Sequence, residues 1–301
     1  MDITLALGGG GVKGYAHIGV LRTLERAGFK IKAIAGTSAG GMVGAIYAAG
    51  YSPDEIEEHL AALDLSRLYK RNHGDGPSIL GLSGALQVLT KLLGEKTFAE
   101  TRIPFACTAV DLDLGMPLIL NEGPLLDAVM ATIAVPGIFP PKLWNGRLLV
   151  DGGVLDPVPV SLARKLAPNI PVVAVALSPP LTNWSDQKRA PRLLSTLPLL
   201  NRLNQIRLAQ SFNIFLRSID IAGCYLTDLR LTMEQPDVII RPQVGPIGFM
   251  DKIDPLEVIE KGEKAAAAVV PKLKSLNGWR YRLSNRLPWL SDFFKQSTYD
   301  A

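Results

Sequence analysis

Apolar and polar positions follow two periods along the chain, and the switches between them mark its elements. Residues 3–7 form a short apolar run that reads as a buried strand. After a glycine-rich break, "GYAHIGVLRTLERAGF" shifts to helical spacing. Ile18, Leu21 and Leu24 recur on one face, Arg22, Glu25 and Arg26 take the other, and Gly28 can end the helix. "IKAIAG" is a second strand, and "GGMVGAIYAAG" a second helix of small residues closed by Gly50. "SPDEIEEHLAAL" starts a third helix, with Ser52 at the N-cap, Pro53 at the first position and acids in the first turn. Later strands are predicted at "PFACTAVDL", "PLILNE", "RLLVDGG", "VVAVALS" and "DVIIRP". Strand, loop, helix, strand, helix implies an α/β fold, a parallel sheet with helices on both faces. Residues 184–235 are rich in Leu, Asn, Gln and Arg with little strand pattern, and read as a helical flank or cap.

Composition narrows the classes. Hydrophobic residues make up 48% and charged residues 20% of the 301 residues, as in an ordered globular protein with a sizeable core. The net charge of +4 suits an anionic surface such as a membrane and equally an ordinary enzyme. No Lys/Arg run is dense enough to suggest nucleic acid. Cys107 and Cys224 lie in no CxxC or Cys/His cluster, so no zinc site is visible, and packed, reduced thiols are expected. The chain starts almost directly in an apolar run with no basic leader, and no stretch reaches the ~18 apolar residues of a spanning helix. The expected location is cytoplasmic, with peripheral contact at the inner membrane face. Residues 192–203 ("RLLSTLPLLNRL") and the basic-aromatic tail 279–301 are the candidate contact segments. They could equally pack on the body or contact another subunit, and the chain reads as one domain over 1–278 followed by that tail.

The break after the first strand reads "ALGGGGVKGYAHIG". Gly9, Gly11 and Gly14 fit G-x-G-x-x-G, the dinucleotide pattern. That pattern also expects an acid at the end of the second strand, where this chain has "AGTSAG". A P-loop fails as well, because Lys13 is followed by Gly14. What the second strand delivers is "GTSAG", Gly36 to Gly40: a G-x-S-x-G serine between strand and helix. Ser38 there is a candidate nucleophile, with the helix N-terminus favouring negative charge beside it. The plainer reading is that Ser38 and Thr37 cap that helix.

A serine needs a base. His17 falls in the first helix, where a packed role suits it, His59 on a helix surface, and His73 in the polar loop "KRNHGDG". None follows the serine–acid–histidine order, so the better candidate is Asp151, delivered by an apolar strand to the turn Gly152-Gly153 in "LLVDGGVLDPVPV". Its ordinary pKa of about 3.9 makes it a feeble base, which burial and a hydrogen bond to Ser38 would correct. An Asp that merely forms a turn before Gly-Gly is the alternative. With a serine and a base, the glycine loop acquires a use as an oxyanion hole of backbone N–H groups, Gly10 and Gly11 foremost. Lys13 would orient the loop, attract an anionic head group, or simply be solvated. "DLDLG" (Asp111, Asp113) mimics a calcium loop, but Pro117 and Ile119 occupy later ligand positions, so these are turn acids. Asp156, before Pro157, reads as a brace for the loop after Asp151.

Taken together, "GGGVKG", "GTSAG" and "DGG", in that order and each at a strand end, resemble the patatin-like phospholipase family, most closely its short bacterial members. "HIGVLRTL", "PGIFPP" (Pro136 to Pro141) and "DPVPV" share the likeness, which covers roughly residues 3–178 and thins beyond, though "VIIRP" and a helix near 256–275 suit it. The resemblance implies a three-layer α/β/α sandwich around a mainly parallel sheet, and hydrolysis of lipid acyl esters by a Ser–Asp dyad without histidine, calcium or other cofactor. Carried over by motif, Ser38 is the nucleophile, Asp151 the proton acceptor, and the loop Gly9, Gly10, Gly11, Gly14 the oxyanion hole. One departure is Ala131-Thr132, where many members have Ala-Ser. A non-catalytic lipid- or protein-binding regulator with this fold, or an esterase or thioesterase acting on soluble substrates, remain the alternatives.

Overall fold

The computed structural model describes residues 1–61, 69–71, 76–181 and 203–276. His73, the tail 279–301 and all of 192–203 except Leu203 lie outside the described residues. In chain order the elements are β1 (Asp2–Leu7), α1 (Tyr15–Arg26), β2 (Lys30–Thr37), α2 (Ala39–Ala48), α3 (Pro53–Ala61), α4 (Ser83–Leu93), β3 (Phe105–Asp111) and β4 (Met116–Leu120). Then follow α5 (Leu125–Thr132), β5 (Lys142–Trp144), β6 (Arg147–Asp151), α6 (Val160–Leu166), β7 (Val172–Val175), α7 (Leu203–Glu234), β8 (Val238–Ile240) and α8 (Pro255–Ser275).

The sheet runs β5-β6-β3-β2-β1-β7-β8, with β4 also on β3. Its centre, β3-β2-β1-β7-β8, is parallel. Strands β4, β5 and β6 join antiparallel, so the sheet is mixed rather than parallel throughout. β4 follows β3, and β6 follows β5, through short turns, so each returns antiparallel to the strand before it.

Strand alternation explains the layers. Leu5, Leu7, Ile34, Cys107, Val173 and Val175 share one core with α1, α2, α5 and α8. Their neighbours Ala6, Ala35, Ala106 and Ala174 face the other way, against α6 and Leu231 of α7. Alanines on that face let α6 lie close to the backbone, while the larger side chains fill the thicker layer opposite. Helices α1 and α8 touch backbone to backbone: a Cβ on Gly19 would meet the Ile259 carbonyl at 2.0 Å, and one on Gly262 the Ala16 carbonyl at 2.0 Å. Arg22 closes this seam with Asp54, Glu57 and Glu263. Ser52 and Glu55 cap α3 reciprocally. Cys107 and Cys224 are buried thiols outside any disulfide. No described helix is long and apolar enough to cross a membrane.

The register places the site. Thr37 at the end of β2 pairs with Thr108 of β3, and Asp151 at the end of β6 pairs with the next residue, Ala109. Strand β4 already occupies the other side of β3 at both positions. Strands β2 and β6 therefore meet end to end along one edge of β3, and the residues leaving their ends, Ser38 and Asp151, become neighbours.

Candidate active site

Ser38 sits on the turn from β2 into α2 with φ 53° and ψ −124°. An L-residue held there costs about 1–3 kcal/mol, so the surroundings must enforce it. Small residues make room: a Cβ on Gly40 would meet the Leu7 carbonyl at 2.2 Å, and one on Gly36 the Gly41 backbone at 2.5 Å. The Ser38 side chain does not cap α2. Its hydroxyl instead lies beside the Asp151 carboxylate, close enough to favour the ionised form of that group. Nor does Thr37 cap the helix: its hydroxyl bonds Thr108 Oγ1 and the Asp156 carbonyl. The capping reading of this turn is thereby set aside.

Asp151 is 4% exposed, and its Oδ1 accepts the Gly153 N–H at 2.7 Å. Burial outweighs the effect of both Ser38 and Gly153 and pushes its pKa up to about 6, within reach of a general base near neutrality. Gly152 is needed for a different reason, since a Cβ there would collide with Thr108 Oγ1 at 2.1 Å. Asp156 braces the loop as expected, its N–H on the Gly152 carbonyl and its own carbonyl on Thr37. Burial raises its pKa also, to about 6. Asp111 is a turn acid, accepting the N–H groups of Asp113 and Leu114.

The glycine loop lies across Ser38. A Cβ on Gly9 would stand 3.1 Å from Ser38 Cβ, and one on Gly14 2.6 Å from Ala39 Cβ. The donor set is narrower than the motif suggests. Gly9 N–H is spent on the Pro157 carbonyl at 3.0 Å, and Gly14 lies in a short 3-10 turn, Gly11–Gly14. Gly10 and Gly11 have no backbone acceptor among the described residues. Gly11 has φ +57°, and Val12 next to it is tied to the Phe249 carbonyl at 3.0 Å. Lys13 is 4% exposed, which overturns the solvated-lysine reading.

His17 is fully buried beneath the loop, and its Nε2–H donates to the Gly8 carbonyl at 2.7 Å. Burial drives its pKa down to about 4, so the ring is neutral and props the loop. His59 is exposed and stands edge-on to Tyr51. Neither histidine contacts Ser38. From Ser38 an apolar cavity of about 90 Å³ leads inward past Met42, Val43, Leu60, Leu89 and Phe139. Sequence reading missed this cavity, because α4 and the Phe139 and Phe249 segments reach it from distant parts of the chain.

The patatin-like phospholipase family model matches residues 5–164. An uncharacterised NTE family protein of Mycobacterium tuberculosis is 40% identical over 162 residues, 53% of this chain and 44% of that protein. Lysophospholipase NTE1 of Pyricularia oryzae is 25% identical over 293 residues, 91% of this chain and 19% of that protein. The chain thus spans less than half the length of these curated relatives. The crystal structure of VipD from Legionella pneumophila matches with a TM-score of 0.53 at 12% identity, over 90% of this chain and 67% of that one. At that identity the likeness concerns the fold alone.

Proposed function

The chain belongs to the patatin-like phospholipase family, and from that membership we propose that it is a lipid acyl hydrolase working through Ser38 and Asp151. The observation that carries the reading is the placement of the buried Ser38 hydroxyl, on a strand-end turn that lines an apolar cavity, beside the buried carboxylate of Asp151. A non-catalytic regulator has no need of that combination. Asp151 takes the hydroxyl proton as Ser38 Oγ attacks the ester carbonyl carbon. The oxyanion forms against the N–H groups of Gly10 and Gly11, with the N-terminus of α2 adding its dipole. Collapse of the intermediate breaks the bond to the leaving alcohol, which receives the proton from Asp151. Water then attacks the acyl-serine with Asp151 accepting its proton; the acyl–Oγ bond breaks, Asp151 returns the proton to Ser38 Oγ, and the fatty acid is released.

The cavity is narrow and apolar, which suits a single acyl chain and favours lysophospholipid-type esters. Fatty-acid release from lysophosphatidylcholine, from phospholipid vesicles and from a short soluble ester tests the reading, wild type beside Ser38→Ala. Ser38-dependent cleavage of the lipids is the expected result. Cleavage of the soluble ester alone would keep the mechanism and discard the substrate. A folded wild type that cleaves none of them would overturn both.

A further inference from the structure

We infer that the Thr132 hydroxyl is the positioning group that holds the Ser38 backbone in its unusual conformation, an inference that rests on the Ser38–Asp151 reading above. Ser38 N–H donates to Thr132 Oγ1 at 2.9 Å, and Thr132 Oγ1–H donates to the Thr108 carbonyl at 2.6 Å. Thr132 is fully buried at the C-terminal end of α5, so no water competes for either bond. The proton directions are forced. A backbone N–H can only donate, a carbonyl can only accept, and the one hydroxyl proton must go to Thr108.

The chain of bonds continues. Thr37 Oγ1–H donates to the Asp156 carbonyl at 2.8 Å, so the 2.7 Å contact between Thr37 Oγ1 and Thr108 Oγ1 takes its proton from Thr108. Thr108 therefore serves as the common reference. Its carbonyl fixes Thr132 and thereby Ser38. Its hydroxyl fixes Thr37 and, through Asp156, the loop that follows Asp151. The two reacting side chains leave different strands, and this bridge sets their separation from a single residue of β3. It also occupies the Ser38 N–H, so oxyanion binding falls to the glycine loop.

Thr132→Val removes the hydroxyl while keeping the shape, and leaves the Ser38 N–H buried without an acceptor. Thr132→Ser keeps the hydroxyl and loses only the methyl. The readout is kcat and KM on a soluble nitrophenyl ester, normalised to sites titrated by a fluorophosphonate, with Tm measured alongside. Thr132→Val should lower kcat per titrated site about tenfold or more with KM within about twofold, because misaligned reacting groups lose rate rather than binding. Thr132→Ser should stay within about threefold of wild type, since the donor–acceptor pair survives.

Wild-type kcat per site in Thr132→Val would overturn the inference, even if Tm fell, because the hydroxyl would then be structural only. Equal losses in Val and Ser would also overturn it and assign the effect to methyl packing. If Thr132→Val does not fold, Thr132→Ala against Thr132→Ser makes the same comparison. Absence of Ser38-dependent turnover in the wild type would bring down the underlying reading and the bridge together, whereas active wild type with an active Val variant brings down the bridge alone.

Discussion

Replacing Asp151 by Asn should abolish turnover and stabilise the protein. The wild-type carboxylate is held at about 6 against an ordinary 3.8, with burial as the leading cause. The folded state therefore binds the proton more tightly than the unfolded chain, and stability falls as pH rises from about 4 through about 6. Two pK units correspond to about 3 kcal/mol, the ceiling on what the charged carboxylate costs above that range. Asn is neutral at every pH and keeps an oxygen for the Gly153 N–H, so it recovers most of that cost. For a chain of this size about 1–3 kcal/mol corresponds to a rise in Tm of a few degrees. Urea unfolding and thermal melts of both proteins from pH 4 to 8 measure it. The difference should be near zero at pH 4, grow through pH 6 and level off by pH 8. Asp156, which titrates in the same range, is present in both proteins and cancels. An Asn variant no more stable than wild type at pH 8 would refute the claim that Asp151 is held charged against its burial.

The same group should shape the rate. kcat/KM on a soluble ester should rise about tenfold per pH unit below pH 6 and plateau above about 7, as the base ionises, and the limb should persist in Asp156→Asn. Gly11→Ala should cost about 10²–10³ in kcat if the loop supplies the oxyanion donors, because its Cβ would lie 2.2 Å from the Phe249 carbonyl at φ +57°. Leu89→Trp, which narrows the cavity, should shift acyl preference toward shorter chains while leaving acetyl ester turnover unchanged, measured on a series of nitrophenyl esters.

Local pattern carried much of the fold. β1, α1, β2, α2 and α3 stand where periodicity and capping residues put them, because each depends on neighbours in sequence. The antiparallel turn-back of β4, β5 and β6 was not legible, since strand direction is set by connection geometry that short apolar runs do not encode. At the site, Ser38 and Asp151 each stand at a strand end as the motifs indicated, and the register along β3 supplies the reason they meet. Features made by distant partners stayed hidden. The glycine motif leaves Lys13 open to three readings, solvation among them, and only tertiary packing, which buries it, removes that one. Gly9 carries the glycine pattern, yet its N–H belongs to Pro157. Thr132 stands where the resemblance suggests serine in many members; its hydroxyl matters only because Ser38 and Thr108 converge on it.

The most direct test of the central claim is to label the wild-type protein with a fluorophosphonate and map the adduct by peptide mass spectrometry, beside Asp151→Asn. The account predicts a single adduct on Ser38, forming more slowly as pH falls through 6 and almost not at all in the Asn variant. An adduct on another serine, or labelling of Ser38 that is indifferent to Asp151, would contradict it.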